Sequence, residues 1–229
     1  MKKYSVLGDS ISTFEGYHPY NYSVYYENER CKFNGLESVN DTWWYIVGEK
    51  LGAELCVNDS YSGSRVSGGG FPCACSDKRL TRLKTECDTP DIIFVYMGFN
   101  DYFNGVKIEN PGYLKIREED GHFFFSEAYE YMLNRLKELY PGAQIICGTL
   151  VRTKLRDNPD WVMPYEYYGI DIRNYNKVIR QVCEKCGVTL ADLAKLDIQY
   201  ETLDTAHPTK EGHKTLAEMW LKCLGADFC

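Results

Sequence analysis

Uninterrupted apolar runs alternate with amphipathic stretches along the whole of this chain. The clearest run is Ile92-Ile93-Phe94-Val95-Tyr96-Met97, which follows Pro90-Asp91 and has no polar break. That pattern predicts a central parallel strand covered on both faces. Tyr4 to Leu7, Leu55-Cys56-Val57, Gln144 to Cys147 and Val188-Thr189-Leu190 are shorter runs of the same kind. Between them lie helical periods. Ser126 to Tyr140 carries Tyr129, Met132, Leu133 and Leu136 on one face and stops at Pro141-Gly142. Ile172 to Cys186 is a second helix, with Gly187 as its left-handed cap. Asp41 is expected to cap a helix containing Trp43, Trp44, Ile46 and Val47. Ser76 to Cys87 reads as a helix with Leu80 and Leu83 inward, and a last helix runs from about Lys210 to Leu224.

Five βα units in succession predict an α/β fold, a parallel sheet with helices on both faces. No repeat, low-complexity segment or linker divides the sequence, so residues 1–229 are expected to form one domain. Three long stretches follow neither period: Ser12 to Asn40, Tyr102 to Phe125 and Leu155 to Tyr168. Loops of that length in a compact domain are usually functional. In open parallel sheets, ligands bind beyond the carboxyl ends of the strands. The residues just after each strand are therefore the candidates for chemistry.

Composition narrows the partners. Lys and Arg number 26 against 33 Asp and Glu, a formal net charge of -7, which disfavours nucleic acid and anionic membrane surfaces. No run of about 18 apolar residues is present to span a bilayer. The apolar stretch after Lys2-Lys3 is too short for a signal peptide, so a cytoplasmic protein is expected. The ten cysteines are then expected to be reduced thiols. Cys56 and Cys147 lie in apolar runs and read as core residues. The close pairs are Cys73-x-Cys75 and Cys183-x-x-Cys186. They could together make a four-thiolate zinc site, but neither is followed by a second pair at the usual spacing.

Four short blocks carry the candidate chemistry. Gly8-Asp9-Ser10-Ile11 follows the first strand and can present a serine hydroxyl and its own N–H at the top of the sheet. It lacks the fifth-position glycine of a nucleophile elbow. Gly63 follows the second strand, and Gly98-Phe99-Asn100-Asp101 the third. A glycine N–H and an asparagine amide at strand ends can donate to a developing oxyanion. Asp204-Thr205-Ala206-His207-Pro208 precedes the last helix, and an Asp and a His three residues apart can supply a base and the carboxylate that orients it. Of the other histidines, His18 and His122 lie in the long stretches, and His213 is expected on a face of the last helix. Each block alone is also an ordinary turn or cap.

In order and placement, these blocks resemble those of the SGNH hydrolase superfamily, the GDSL-type esterases, with Ile11 where the lead motif has Leu. The resemblance spans nearly the whole chain. It implies a three-layer αβα sandwich, a flavodoxin-like arrangement of five parallel strands. It implies Ser10 as nucleophile, His207 as base and Asp204 as its orienting acid. The oxyanion hole would be Ser10 N–H, Gly63 N–H and the Asn100 amide. The implied reaction is acyl transfer through an acyl-enzyme, with no metal or organic cofactor.

The family's substrates range widely, so the ester is read from the residues. Aromatics are 14% of the chain, with 19 Tyr, and they crowd the long stretches. Flat rings with polar tips suit sugars. Ser12 to Asn40 has little Leu, Ile or Val to receive a long acyl chain. The expectation is hydrolysis of a short, acetyl-type ester on a small molecule or oligosaccharide, with Asp9, Arg65, Tyr17 and Trp161 as substrate contacts. The alternatives are a general short-chain esterase or thioesterase acting on small metabolites, and a carbohydrate-binding protein without turnover on the same scaffold.

Overall fold

The computed structural model describes residues 1–112, 121–167 and 169–225. Its elements in chain order are β1 (Lys2–Gly8), α1 (Asn28–Asn34), α2 (Trp43–Lys50), β2 (Ala53–Ser60), α3 (Asp77–Leu80), β3 (Ile92–Tyr96), α4 (Phe99–Phe103), α5 (Phe125–Leu139) and β4 (Gln144–Gly148). They continue with β5 (Thr153–Leu155), β6 (Asn158–Val162), β7 (Glu166–Tyr167), β8 (Ile170–Asp171), α6 (Ile172–Cys186), β9 (Thr189–Ala191), β10 (Tyr200–Thr202) and α7 (Lys210–Cys223).

Strands β2-β1-β3-β4-β9 form a parallel sheet in that order, one from each of the five apolar runs. Alternation along β3 assigns its two faces. Phe94 and Tyr96 pack edge-on against Trp43 of α2 and Trp220 of α7, which stack on each other with ring centroids 5.0 Å apart. On the other face, α5 and α6 pack together, and Tyr129 of α5 reaches Cys147 of β4. The three layers follow. Among the described residues, no helix is long and apolar enough to cross a membrane.

The strand ends set the site. Gly8 pairs with Ser60 on one side and Tyr96 on the other, so β2, β1 and β3 terminate at one level. A Cβ on Gly8 would lie 2.6 Å from Ser12 Cβ and Ser60 Oγ, so only glycine lets the chain turn there.

Several local expectations give way to tertiary partners. The expected helix over Ser76–Cys87 is the single turn α3. Leu80 and Leu83 do point inward, but their backbones are held from outside. Tyr140 Oη donates to Leu80 O and accepts from Leu83 N, and Ser5 Oγ donates to Leu83 O. Asp41 does not cap α2. Its carboxylate accepts from Glu37 N and Ser38 N and closes a 3-10 turn one step earlier. The exposed-donor problem at the start of α2 is met by His213 of α7, whose Nδ1 accepts from Trp43 N at 3.2 Å. His213 thus lies on the buried face of α7. The stretch Ser12–Asn40 contains α1, and Leu155–Tyr168 contributes to two small sheets, β10-β5-β6 and β7-β8. Their strands are short and of mixed polarity, and Pro159 lies within β6.

Burial pushes the His213 ring down to about 3, so it stays neutral in the folded chain. The unfolded chain takes up that proton below about 6.5. Between those values unfolding gains a proton, and stability drains away as pH falls. His213→Asn keeps an acceptor for Trp43 N–H and removes the titration. The stability difference between wild type and this variant is expected to shrink by up to about 1.4 kcal/mol per pH unit from pH 6.5 downward, in urea unfolding at stepped pH. A difference that stays flat across that range rules the role out.

Candidate active site

Past the common level of the strand ends, three loops bring the expected residues to one rim. Ser10 lies two residues beyond β1 in a 3-10 turn (Ser10–Ser12). Gly63 lies three residues beyond β2, and Asn100 lies four beyond β3, in the first turn of α4. Gly98, the residue before α4, has φ of +125°, which a side chain would resist. The fourth piece is the loop between β10 and α7.

That loop is a tight Asx-type turn. Asp204 Oδ1 accepts from Ala206 N at 3.2 Å and His207 N at 2.8 Å, with Thr205 in a left-handed conformation at φ +74°. Thr153 Oγ1 donates to Thr205 O, tying the turn to β5. Asp204 Oδ2 then lies 2.6 Å from His207 Nδ1, and His207 Nε2 lies 2.8 Å from Ser10 Oγ. Burial works to raise the Asp204 carboxyl, but the hydrogen bonds and charge of His207, with a bond from Tyr25, outweigh it. Asp204 is held well below the usual carboxylate range. A carboxylate fixed in this way orients the imidazole and stabilises its cation, and the imidazole can take the proton of the serine hydroxyl.

Among the described residues, no group accepts from the N–H of Ser10 or of Gly63. Asn100 Nδ2 spends one hydrogen on Asp9 Oδ2 at 3.3 Å and keeps the other. Asp101, beside it, accepts from Val66 N at 2.7 Å and Ser67 N at 3.0 Å. It thereby pins the loop that carries Gly63 to the start of α4.

The expected substrate contacts fare differently. Asp9 is only 1% exposed and turns inward, accepting from Ile11 N at 3.0 Å as well as from Asn100. It supports the turn under Ser10 and does not face a ligand. Burial, against the Ile11 N–H bond and with the Asp101 charge, pushes its carboxyl up to about 7. Arg65 is half-buried, and its charge acts on Asp101 and Cys73. Tyr17 rests edge-on against Phe14 and tilted on Trp44 of α2, and Trp161 of β6 is half-buried against the core. Among the described residues, no three His, Cys, Asp or Glu side chains gather as a metal site.

Tyr25 is the residue at the site that the motifs do not reveal. Its ring stacks on the His207 imidazole, with centroids 3.4 Å apart and planes within 7°, and its hydroxyl donates to Asp204 Oδ2 at 2.9 Å. The sequence offered one cue, an aromatic-rich stretch too long to be idle.

Comparison with known proteins gives the family and the fold. Residues 2–224 match the family described as GDSL-like lipase/acylhydrolase. A GDSL-like lipase from Bacteroides uniformis is 28% identical with a TM-score of 0.72, over 98% of this chain and 95% of that one. One from Bacteroides ovatus is 24% identical with a TM-score of 0.70, over 99% of both. An acetyl xylan esterase from Geobacillus stearothermophilus shares the fold at 19% identity and a TM-score of 0.61, over 100% of this chain and 96% of its own. No curated relative matches the sequence.

Proposed function

Because the chain belongs to the GDSL-like lipase and acylhydrolase family, and is an ester hydrolase of that type, we propose that Ser10, His207 and Asp204 carry its reaction and that its ester is a short acyl group, acetyl above all, on a carbohydrate. The observation that carries the assignment of residues is the continuous chain Ser10 Oγ–His207–Asp204, with links of 2.8 and 2.6 Å.

Ser10 Oγ attacks the ester carbonyl and its proton passes to His207 Nε2. The carbonyl oxygen takes up the electron pair as an oxyanion facing Ser10 N–H, Gly63 N–H and the Asn100 amide. The carbon–oxygen bond to the alcohol breaks, and His207 protonates the leaving alcohol. Water then repeats the sequence on the acyl-enzyme, freeing the acid and Ser10. The Asp204 carboxylate stabilises the imidazolium in both halves and does not itself take the proton.

The short acyl group is supported by what borders the site. Tyr25 covers one face of His207, and the candidate donors Gly63 and Asn100 add no apolar side chain. Tyr61 and the exposed Phe71 meet edge-to-face nearby in sequence from Gly63, rings of the kind that stack on sugars. On p-nitrophenyl esters, kcat/KM for acetate is expected to exceed that for octanoate by at least about tenfold, since Ser12–Asn40 has little Leu, Ile or Val to receive a long acyl chain. Acetylated oligosaccharides are expected to outperform acetyl thioesters. Equal or better turnover of octanoate sinks the acyl assignment, and a preference for thioesters sinks the carbohydrate. Ser10 is expected to be the residue labelled by a fluorophosphonate, by peptide mass spectrometry.

A further inference from the structure

Taking Ser10, His207 and Asp204 in the roles proposed above, we infer that Tyr25 is a positioning residue of the reaction, its ring fixing the plane of His207 and its hydroxyl sharing the Asp204 carboxylate. Two independent contacts converge on the pair. The stack at 3.4 Å and 7° is close and nearly parallel, which leaves the imidazole little room to tip off the line to Ser10 Oγ. The hydroxyl reaches Asp204 Oδ2, the same oxygen that meets His207 Nδ1. Both remaining bonds to Asp204 go to Oδ1 from its own turn. Tyr25 is therefore the one group from a distant part of the chain, 179 residues away, that holds this carboxylate among the described residues.

The backbone closes the circle. Tyr25 N donates to Thr13 Oγ1 at 3.0 Å, and Thr13 Oγ1 donates to Ser10 O at 2.9 Å. A ring of hydrogen bonds thus runs Ser10–Thr13–Tyr25–Asp204–His207–Ser10. Tyr25 meets Asp204 through its hydroxyl, His207 through its ring and Ser10 through Thr13. Tyr26 anchors the same segment from below, donating to Pro208 O at 2.7 Å and packing on His213. The Arg30 guanidinium of α1 lies 5.1 Å from the Tyr25 ring centroid. Burial and the Asp204 charge push the Tyr25 phenol up to about 12, so it remains a donor wherever an esterase of this type works.

Such an arrangement has a signed consequence. A phenol that donates to Asp204 withdraws part of the charge that steadies the imidazolium. Without it, the carboxylate holds that cation more tightly, and the acid limb of the pH–rate profile moves upward. The groups against His207 are Asp204 in its own turn, Tyr25 and Tyr26 from the loop before α1, Ser10 after β1 and His213 of α7, while Arg30 of α1 lies against Tyr25 and Asp41 acts on His213. Tyr25→Phe alters none of these except the hydroxyl.

The test compares wild type, Tyr25→Phe and Tyr25→Leu by the rate of Ser10 labelling with a fluorophosphonate across pH, and by kcat and KM on p-nitrophenyl acetate. Tyr25→Phe is expected to lose about tenfold in labelling rate and kcat with KM little changed, and to move the acid limb up by several tenths of a pH unit. Tyr25→Leu, which loses the stack too, is expected to lose about a hundredfold. Tyr25→Phe decides the matter, because it keeps the ring and the packing. A wild-type rate in that variant, or a loss with an unmoved acid limb, overturns the positioning role while Ser10 labelling stands. If Ser10 is not labelled in the wild type, the assignment of the nucleophile has failed, and the role of Tyr25 falls with it.

Discussion

Ser10→Ala is expected to lower kcat on p-nitrophenyl acetate by about 10⁴-fold or more, with the folded state intact. The hydroxyl is the only atom removed, and its partner His207 Nε2 at 2.8 Å remains in place on its own turn. Magnitude follows from what is left. An oxyanion hole and a binding surface without a nucleophile retain only a modest acceleration over water. His207→Ala removes the base and is expected to cost a similar factor. Because the two act as one unit, the double variant is expected to be about as slow as either single variant. Additive losses point to two separate functions for these side chains. Full activity in Ser10→Ala means that the nucleophile lies elsewhere. A wild type that binds acetylated sugars tightly without releasing acetate favours a binding protein on this scaffold.

Much of this site is readable from residue order because each piece sits at a strand end, and strand ends are marked by local chemistry. The β3 run is apolar at every position, so both its location and its burial follow from hydrophobicity alone. Gly187 ends α6 at φ +65°, where a left-handed cap places a glycine. Asp204 and His207 meet within one turn, so their pairing needs no knowledge of the fold. What is not readable depends on partners far along the chain. Leu80 and Leu83 keep the inward spacing of a helix, yet Tyr140 takes their backbone groups, 57 and 60 residues on. Asp9 looks like a ligand contact because it adjoins Ser10, but a 3-10 turn rotates its side chain beneath the site. Tyr25 is one of 19 tyrosines, and nothing local separates it from its neighbours.

Arg79 is the other residue without a local signature, and its removal is expected to have the largest effect on stability. It lies on α3, fully buried, as is its partner Asp59 at the end of β2. Its Nε donates to Asp59 Oδ2 at 2.8 Å, Nη1 to Pro72 O at 2.7 Å, and Nη2 to Gly8 O at 3.1 Å and Asp59 O at 2.5 Å. One guanidinium therefore gathers the ends of β1 and β2 and the loop that follows Gly63, directly beneath the turn that presents Ser10. Burial pushes the Asp59 carboxyl upward even with this cation beside it. Arg79→Met leaves that buried carboxyl without its paired cation, with only the Tyr22 hydroxyl and the more distant Arg82 charge to offset it, and takes the donor from Pro72 O. Breaking one side of such a pair costs about 3–5 kcal/mol. In a chain of this size that is a fall in Tm of roughly 10 °C. Adding Asp59→Leu to Arg79→Met removes the buried carboxyl and is expected to restore part of the stability. Activity is not expected to return, because the guanidinium that bridges Gly8 O and Asp59 O beneath the Ser10 turn is still absent. Urea unfolding at neutral pH on the two single variants and the double, with kcat measured on the same preparations, separates these terms. A loss below about 1 kcal/mol in Arg79→Met, the range of an exposed ion pair, means that this guanidinium does not hold the strand ends together.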